Sequence, residues 1–386
     1  MAHSTRPPET AARTAPRRPR LHFVDNIRVA LTVLVVLHHV AVTYGTFGLW
    51  FYSEPATDPS AAALDLFVVA NQAYFMGLFF LISGFFVPGS LDRKGPRPFL
   101  RDRLVRLGVP LLGFLLFLRP LLTTGTYEDL RAAGHDMPYW FFYLVSWDPG
   151  PLWFVEVLLA LTIGYVLLRR VRAGRTAAPA EPAGPPAPRP GPGPLAVIGF
   201  VVALTLITYL WRSVNPAVYW PVVGLPSPGF LPQYIALFAV GVLAARRGWT
   251  GRVPAAAGWT GLAVAVAGTL VFLPFARQLL EAAPGSWQSL ANAAWENVFA
   301  AGMITALLAL FSARLNRQGR LGRFLSDNAF AVYVLHPLVL VAAGYALSGW
   351  QAIGIAKFAV AALICVPLCW ALAALVRGIP YARRVL

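Results

Sequence analysis

The stretch DNIRVALTVLVVLHHV, residues 25–40, is apolar enough to cross a membrane, yet an aspartate and an arginine lie near its start and two histidines near its end. Apolar runs of about 20 residues, the signature of transmembrane helices, recur along the whole chain. The 386 residues are 58% hydrophobic and 12% charged, whereas soluble domains are about 25% charged. The sequence therefore predicts an all-α protein, a polytopic transmembrane helical bundle.

Hydropathy divides the chain into a membrane domain over residues 23–376 and three polar segments. Residues 1–22 form a Pro- and Arg-rich basic tail that is expected to be disordered. Residues 172–194 form a Pro/Gly-rich cytoplasmic linker between spans, and residues 377–386 form a basic cytoplasmic tail. The membrane domain is expected to hold about ten spans, at residues 24–46, 62–87, 104–123, 151–168, 195–211, 230–245, 255–273, 291–311, 326–346 and 352–376.

The basic residues predict the orientation of the spans. The chain has 32 Lys plus Arg against 16 Asp plus Glu, a formal net charge of +16. Most of the basic residues fall in alternate connections between spans, beginning with the N-terminal tail, and cytoplasmic connections are the ones enriched in Lys and Arg. Both termini are therefore expected in the cytoplasm. The positive charge is assigned to topology in a lipid bilayer and not to a nucleic-acid partner.

Helical periodicity places the ionisable groups of the first span on one face. Arg28 and His39 are eleven residues apart, which is about three turns at 3.6 residues per turn, with an axial separation of about 16 Å. Asp25 is three residues before Arg28 and can pair with it. His38 points away from that face, so the two histidines need not have the same role. The face is expected to line the bundle interior or a water-filled cleft.

Two interpretations of these residues stay open on the sequence alone. Asp25 and Arg28 can mark the cytoplasmic interface, with the long side chain reaching the headgroups. His39 can be a buried neutral histidine bonded to a carbonyl, or a general base that takes a hydroxyl proton. Cys365 and Cys369, one turn apart in an apolar segment, are typical of small apolar fillers. They indicate no disulfide framework and no metal site.

An arginine, ten further residues and then a histidine in the first helix resemble the acyltransferase 3 family of integral membrane O-acyltransferases. The stretch HFVDNIRVALTVLVVLHH is most similar to the glucan biosynthesis protein C branch of that family. In the stretch PLWFVEVLL (151–159), which is similar to the fourth-span motif of the family, Glu156 is nearer to the Trp than in the family pattern. This difference leaves the role of Glu156 open. Further stretches similar to family motifs are FFLISGFFVP (79–88), RDRLVRLGVP (101–110), PLWFVEVLL (151–159) and LSDNAFAVYVLHPLVL (325–340).

The resemblance implies transfer of an acyl group from a cytosolic acyl-CoA to a hydroxyl of an extracytoplasmic glycan or related acceptor. It makes Arg28 and His39 the essential pair, requires no permanently bound cofactor, and implies a multi-pass protein of the bacterial cell (inner) membrane. The chemistry of the residues agrees, because acyl transfer needs a base for the hydroxyl and positive charge or donors for the carbonyl oxygen. Both acetyl and succinyl donors fit.

A cytoplasmic basic cluster leads into the third span. It can mark topology and contact anionic lipid, or it can bind the phosphates of coenzyme A through bidentate guanidinium contacts. The favoured phosphate ligands are Arg103 and Arg106, with Arg101 beside them.

Supporting roles are assigned to residues further along the chain. Ser83 can join Gly84 as a packing pair between helices or serve as a nucleophile. Glu156 can pair with a basic residue, orient His39 or lie exposed at a helix end. Tyr333 and His336, one turn apart in the ninth span, can help to bind the acceptor or make structural hydrogen bonds. The complete set of support candidates is Asp25, His38, Ser83, Glu156, Tyr333 and His336. Asp327 and Asn328 are expected to cap the ninth helix at its N-terminus.

The sequence favours a membrane O-acyltransferase in which His39 is the general base. The alternative is a polytopic transporter or flippase for a glycan or small solute, because polar seams and intramembrane carboxylates also mark transport paths. Transporters often contain internal repeats with helices broken at matching positions, and the sequence has no convincing repeat of this kind.

Overall fold

In a computed structural model that describes residues 21–48, 50–175, 189–221, 223–249 and 253–386, the chain is almost entirely helical. Ten described helical segments are long and apolar enough to cross a membrane, which confirms the predicted bundle. Most of the tail at 1–22 and of the linker at 172–194 lies outside the described residues. The ten segments, called spans 1 to 10 in chain order, are His22–Tyr44, Ser60–Lys94, Pro96–Leu122, Tyr139–Arg172, Pro194–Val214, Pro228–Arg247, Ala255–Leu280, Trp287–Arg314, Arg320–Leu347 and Gly354–Arg377.

Several spans consist of more than one helix. Span 2 is divided by a break at residues 73–74 into helices Ser60–Gln72 and Phe75–Lys94, and span 3 contains two π-helical turns, Leu104–Gly108 and Phe114–Leu118. Such turns leave the regular hydrogen-bond ladder and are frequent near functional sites. The remaining pieces are helices Pro96–Arg103, Val109–Gly113, Arg119–Leu122, Tyr139–Val145, Trp153–Arg175, Leu231–Arg247, Ala255–Phe272 and Ala276–Leu280, with 3-10 turns at Gly150–Leu152, Pro228–Phe230 and Leu273–Phe275.

The bundle has two ends, which we name from span 1. The proximal end is where span 1 begins, and the distal end is where span 1 ends. The region 124–150, which lies between the predicted spans 104–123 and 151–168, contains the helix Thr124–Ala132 and the short aromatic helix Tyr139–Val145. Strands Tyr219–Trp220 and Leu225–Pro226 pair antiparallel between spans 5 and 6. A last short helix, Ala382–Val385, follows span 10.

Span 1 lies at the centre of the bundle, where it packs against spans 2, 8, 9 and 10. Its apolar side chains Ile27, Leu31 and Val36 are at most 1% exposed. A residue that faces inward from this span is therefore surrounded by protein on several sides, which is where an intramembrane histidine can be held in one orientation.

The predicted helix cap at the start of span 9 is wrong. The helix begins at Arg320, so Asn328 lies more than two turns inside it. Asn328 donates to the carbonyl oxygen of Phe324 and accepts from the guanidinium of Arg377, which ties spans 9 and 10 together. The predicted span, 326–346, leaves residues 320–325 in a basic connection. In the structure these residues form the first turn of the helix, and their charged side chains are exposed.

Small residues let two pairs of spans approach closely. Spans 2 and 6 meet where Gly84 faces the backbone of Phe238, so a Cβ on Gly84 would lie 2.2 Å from the carbonyl oxygen of Phe238. Spans 7 and 8 meet at Gly261 and Gly302 in the same way, with a Cβ on Gly302 only 2.4 Å from the Gly261 carbonyl oxygen. Close backbone approach at small residues is a general device for packing helices in membranes. Gly84 therefore has the packing role that the sequence suggested for it.

Gly84→Ala is expected to destabilise the protein by about 1–3 kcal/mol, since spans 2 and 6 must separate to admit the methyl group. The measurement is the thermal unfolding midpoint of the purified protein in detergent. Gly268→Ala in span 7 is the matched control, because nothing lies within 4 Å of its added Cβ. Helix propensity favours alanine over glycine at both positions, so an equal loss in the two variants would show that the contact with Phe238 does not decide the effect.

A segment between spans 1 and 2 covers the distal end of span 1. We call its described residues, 45–48 and 50–59, the strap. Its backbone returns along span 1, with the Glu54 amide donating to the Thr43 carbonyl oxygen at 2.8 Å. Glu54 also accepts from the Lys357 ammonium of span 10 at 2.5 Å, and Asp58 accepts from the backbone amide of Gly354 at 2.8 Å. The strap is therefore fixed to span 10, and the buried ammonium of Lys357 has a partly exposed carboxylate partner.

Candidate functional site

A cavity of about 910 Å³ lies at the distal end of the bundle. Its wall comes from residues of spans 1 to 9, from the strap and from other connections between spans. Aromatic side chains form much of the wall, and charged or amide side chains stand between them. The principal lining residues are His38, His39, Trp50, Phe51, Gln72, Phe75, Arg119, Asp148, Trp153, Arg212, Tyr219, Asn292, Glu296 and Tyr333.

His39 lies on the cavity wall, and its surroundings fix its neutral tautomer. Its Nδ1 is 2.9 Å from the carbonyl oxygen of Val35, one turn earlier in span 1. A carbonyl oxygen only accepts hydrogen bonds, so Nδ1 carries the proton and donates it. The lone pair of the neutral ring is then on Nε2. The ring stacks on Trp50 of the strap with centroids 4.1 Å apart, which holds its plane. This is the arrangement that a general base needs.

His38 also lines the cavity, but its surroundings favour the opposite tautomer. Its Nδ1 is 3.4 Å from the side-chain nitrogen of Asn71. That nitrogen also donates to the carbonyl oxygen of Leu34 at 3.4 Å, which identifies it as the amide NH₂ group. Because an NH₂ group only donates, Nδ1 of His38 accepts and its proton is on Nε2. The two adjacent histidines therefore differ: His39 offers a lone pair on Nε2 and His38 offers an N–H donor.

His336 stands behind this wall. It is fully buried in span 9, and its ring centroid is 4.9 Å from that of His39. Its Nδ1 lies 2.8 Å from the carbonyl oxygen of Tyr333, one turn earlier. The hydroxyl of Tyr333 donates to the carbonyl oxygen of Pro151 at the start of span 4. Tyr333 lines the cavity, whereas His336 is not among the described lining residues.

Two buried ion pairs stand on the cavity wall. The Arg212 guanidinium of span 5 is 2.6 Å from the Glu296 carboxylate of span 8, with side chains 16% and 7% exposed. Arg119 at the end of span 3 is 1% exposed, pairs with Asp148 at 3.1 Å and lies over the ring of Tyr143. The sequence did not identify a basic partner for Glu296. The partner, and the position of Arg119 on the cavity wall, come only from the structure.

Two other polar groups lie on or near the wall. Burial raises the pKa of Tyr219 to about 12, and the charge of Asp148 adds to the effect. Tyr219 therefore keeps its hydroxyl proton at neutral pH and can donate it in a hydrogen bond. Glu156, half-buried in span 4, lies within electrostatic reach of Asp148 and Tyr333. Both of these residues line the cavity.

The basic candidates lie at the other end of the bundle. Arg28 is near the start of span 1, with its guanidinium 3.9 Å from Asp25 and its side chain 45% exposed. Arg103 lies within electrostatic reach of both Arg28 and Arg106, so three cations of spans 1 and 3 form one group at the proximal end, with Arg101 on the same turn as Arg103. In the described part of the chain none of them lines the distal cavity.

The structure thus separates the predicted site residues into two groups. His38, His39 and Tyr333 line the cavity, with His336 directly behind them. Arg28, Arg101, Arg103 and Arg106 gather at the proximal end with Asp25. Ser83 is partly buried beside the packing glycine of span 2 and is absent from the described cavity wall. Trp50, which covers His39, was not identified from the sequence, since an aromatic residue in a short connection has many ordinary explanations.

Comparisons with known proteins agree on the kind of protein. A family model described as an acyltransferase domain, that of the acyltransferase 3 family, matches residues 21–374. The glucans biosynthesis proteins C of Salmonella schwarzengrund (strain CVM19633) and Salmonella typhi are each 24% identical to the chain, over 85% of this chain and 84% of their own length. The protein of the same name from Salmonella heidelberg (strain SL476) is 25% identical over the same shares. No solved structure matches the chain.

Proposed function

Because the chain belongs to the acyltransferase 3 family of membrane acyltransferases, we propose that it moves an acetyl or succinyl group from a cytosolic acyl-CoA to a hydroxyl of a glycan or related acceptor. In this proposal the proximal end faces the cytoplasm, the distal cavity admits the acceptor from the other side, and the membrane is the bacterial inner membrane. The relatives named for glucan biosynthesis support a glycan as acceptor. The observation that carries the proposal is the Nε2 lone pair of His39 on the wall of that cavity.

His39 is proposed to act as the general base. The acceptor oxygen attacks the thioester carbonyl carbon while its proton passes to Nε2 of His39, and the carbon–sulfur bond then breaks. The protonated His39 gives the proton to the departing thiolate and returns to the neutral state. Because Nδ1 is bound to the Val35 carbonyl throughout, the ring does not have to turn to exchange this proton.

His38 suits a different task in the same reaction. Negative charge develops on the carbonyl oxygen as the acceptor attacks, and an N–H group fixed beside that oxygen lowers the barrier. The Nε2–H of His38 is such a donor on the same cavity wall, with its ring centroid 5.3 Å from that of His39. The neutral hydroxyl of Tyr219 is a second donor on this wall.

The donor is proposed to enter from the proximal end. Arg28, Arg103 and Arg106 form a group of cations there, with Arg101 on the adjacent surface. Guanidinium groups bind phosphate through paired N–H contacts, so this group suits the phosphates of coenzyme A. Arg28 and His39 are about 16 Å apart along span 1. The extended thiol arm of coenzyme A would cross that distance to bring the thioester to His39.

The test uses the purified full chain in lipid nanodiscs with radiolabelled acetyl-CoA or succinyl-CoA and a glucan oligosaccharide. We expect label in the oligosaccharide as an alkali-labile ester, with release of one thiol for each ester formed. The same chain in sealed vesicles, without acyl-CoA, tests the transporter alternative by uptake of labelled oligosaccharide. Uptake in vesicles together with no ester from either donor would contradict the proposed function.

A further inference from the structure

One buried nitrogen next to His39 has no hydrogen-bond partner among the described residues. His336 donates from Nδ1 to the Tyr333 carbonyl oxygen, so the lone pair of its neutral ring is on Nε2. Among the described residues, this Nε2 is buried and has no hydrogen-bond partner. A buried polar atom without a partner costs about 1–3 kcal/mol. A histidine kept only for packing would be replaced at less cost by an apolar ring, so the structure points to a partner that is present for part of the reaction.

The neighbours of His336 narrow the identity of that partner. Its ring is 4.9 Å from the ring of His39 and 5.9 Å from the ring of Trp50, and 6.2 Å from that of Tyr333 on its own span. Trp50 and Tyr333 line the cavity and His336 does not, so they stand between His336 and a bound acceptor. A donor that appears only during the reaction is the Nε2–H of protonated His39.

We infer that His336 is a positioning residue for acyl transfer: its Nε2 accepts a hydrogen bond from Nε2–H of His39 after His39 has taken the acceptor proton. This inference rests on the proposed function. The acceptor O–H bond breaks, the proton is held between the two ring nitrogens, and it leaves to the thiolate when the carbon–sulfur bond breaks. Both rings end neutral, so no further reactant is needed. The bond favours the charged form of His39, which makes it a stronger base.

Several other titratable groups lie near His39 and His336. Tyr333 is on the same span as His336, and His38 and His39 are on span 1. Trp50 of the strap carries no titratable group, and Glu156 of span 4 lies beyond Tyr333, with which it interacts electrostatically. His38 accepts through Nδ1 from Asn71 and is engaged there. His336 is therefore the ring nitrogen best placed to accept from His39.

Three variants of His336 test the inference. In His336→Gln the side-chain amide reaches the place of Nε2 and keeps an acceptor there, whereas in His336→Asn it reaches only the place of Nδ1. His336→Phe keeps a ring of similar shape without any nitrogen, and this apolar replacement is expected to fold even if the amides do not. We expect kcat to fall about 100-fold in His336→Asn and His336→Phe, and less than about tenfold in His336→Gln.

The pH dependence separates positioning from a structural role. When no acceptor occupies the position of the His336 Nε2 atom, His39 takes up a proton only at lower pH. The acidic limb of kcat/KM should therefore move to lower pH in His336→Asn and His336→Phe and stay in place in His336→Gln. The inference would be overturned if kcat fell equally in His336→Gln and His336→Phe, or if the acidic limb of kcat/KM did not move. The proposed function would still stand. A wild-type chain that forms no ester would overturn the proposed function and this inference with it.

Discussion

His39→Gln is expected to lower the rate of acyl transfer about 10²- to 10⁴-fold, which is the usual contribution of a general base. Glutamine is close to histidine in size and can accept a hydrogen bond, but it cannot take up a proton at neutral pH. The bond from Nδ1 to the Val35 carbonyl oxygen and the stacking contact with Trp50 hold the ring of His39 in place. The measurement is ester formation per mole of folded protein, with folding checked by the thermal midpoint.

The matched control is the same substitution at the adjacent residue, His38→Gln. The His38 ring carries its proton on Nε2 and accepts at Nδ1 from Asn71, and glutamine can still present an N–H group to the cavity. We expect the rate to fall less than about tenfold. Equal losses at the two positions would contradict the assignment of His39 as the base, and a larger loss at residue 38 would exchange the two roles.

Arg212→Met is expected to destabilise the protein by about 3–5 kcal/mol, because it leaves the carboxylate of Glu296 buried without its cation. The two side chains form a 2.6 Å contact between spans 5 and 8. The Arg212 guanidinium also donates to the Gly229 carbonyl oxygen at 3.3 Å and lies over the ring of Phe230. Loss of the arginine should therefore loosen the start of span 6 as well. The measurement is the thermal unfolding midpoint in detergent.

The double variant Arg212→Met with Glu296→Gln removes both charges and should recover most of the lost stability, because no isolated charge is then buried. Glu296→Gln alone should be damaging too, since it leaves the arginine without its anion. A double variant as unstable as Arg212→Met alone would show that the contacts of Arg212 with Gly229 and Phe230, and not its charge, are what stabilise this wall of the cavity.

The spans were predictable because hydropathy is a local property. A membrane segment must satisfy its backbone within its own helix and present apolar side chains to lipid, so composition over about 20 residues is sufficient to find it. The start of span 9 was missed for the same reason: its first turn is basic and exposed, and composition assigns such a turn to a connection. The division of span 2 at residues 73–74 was not predicted either, and there the carbonyl oxygen of Ala73 accepts from the Gln233 side chain of span 6.

The candidate site was only partly predictable. Helical periodicity separated His39 from His38 and placed Arg28 on the same face as His39. In the structure these two residues lie in separate regions: Arg28 is at the proximal end and His39 is on the wall of the distal cavity. It also suggested that the two histidines differ, but not how. The difference depends on the acceptor at Val35 and the donor at Asn71, and the second of these is on another span. Trp50 and the ion pair of Arg212 with Glu296 depend on contacts between segments far apart in the chain.

The sequence by itself determined that this protein is a ten-span helical bundle with ionisable groups along its first helix, because apolar length and the 3.6-residue period act within one helix. Only the tertiary structure decided which nitrogen of His38 carries the proton and which ring stands behind His39. It also decided which carboxylate each buried cation meets. These features arise where several spans meet, because a hydrogen bond is set by the relative positions of two groups that the order of residues does not fix.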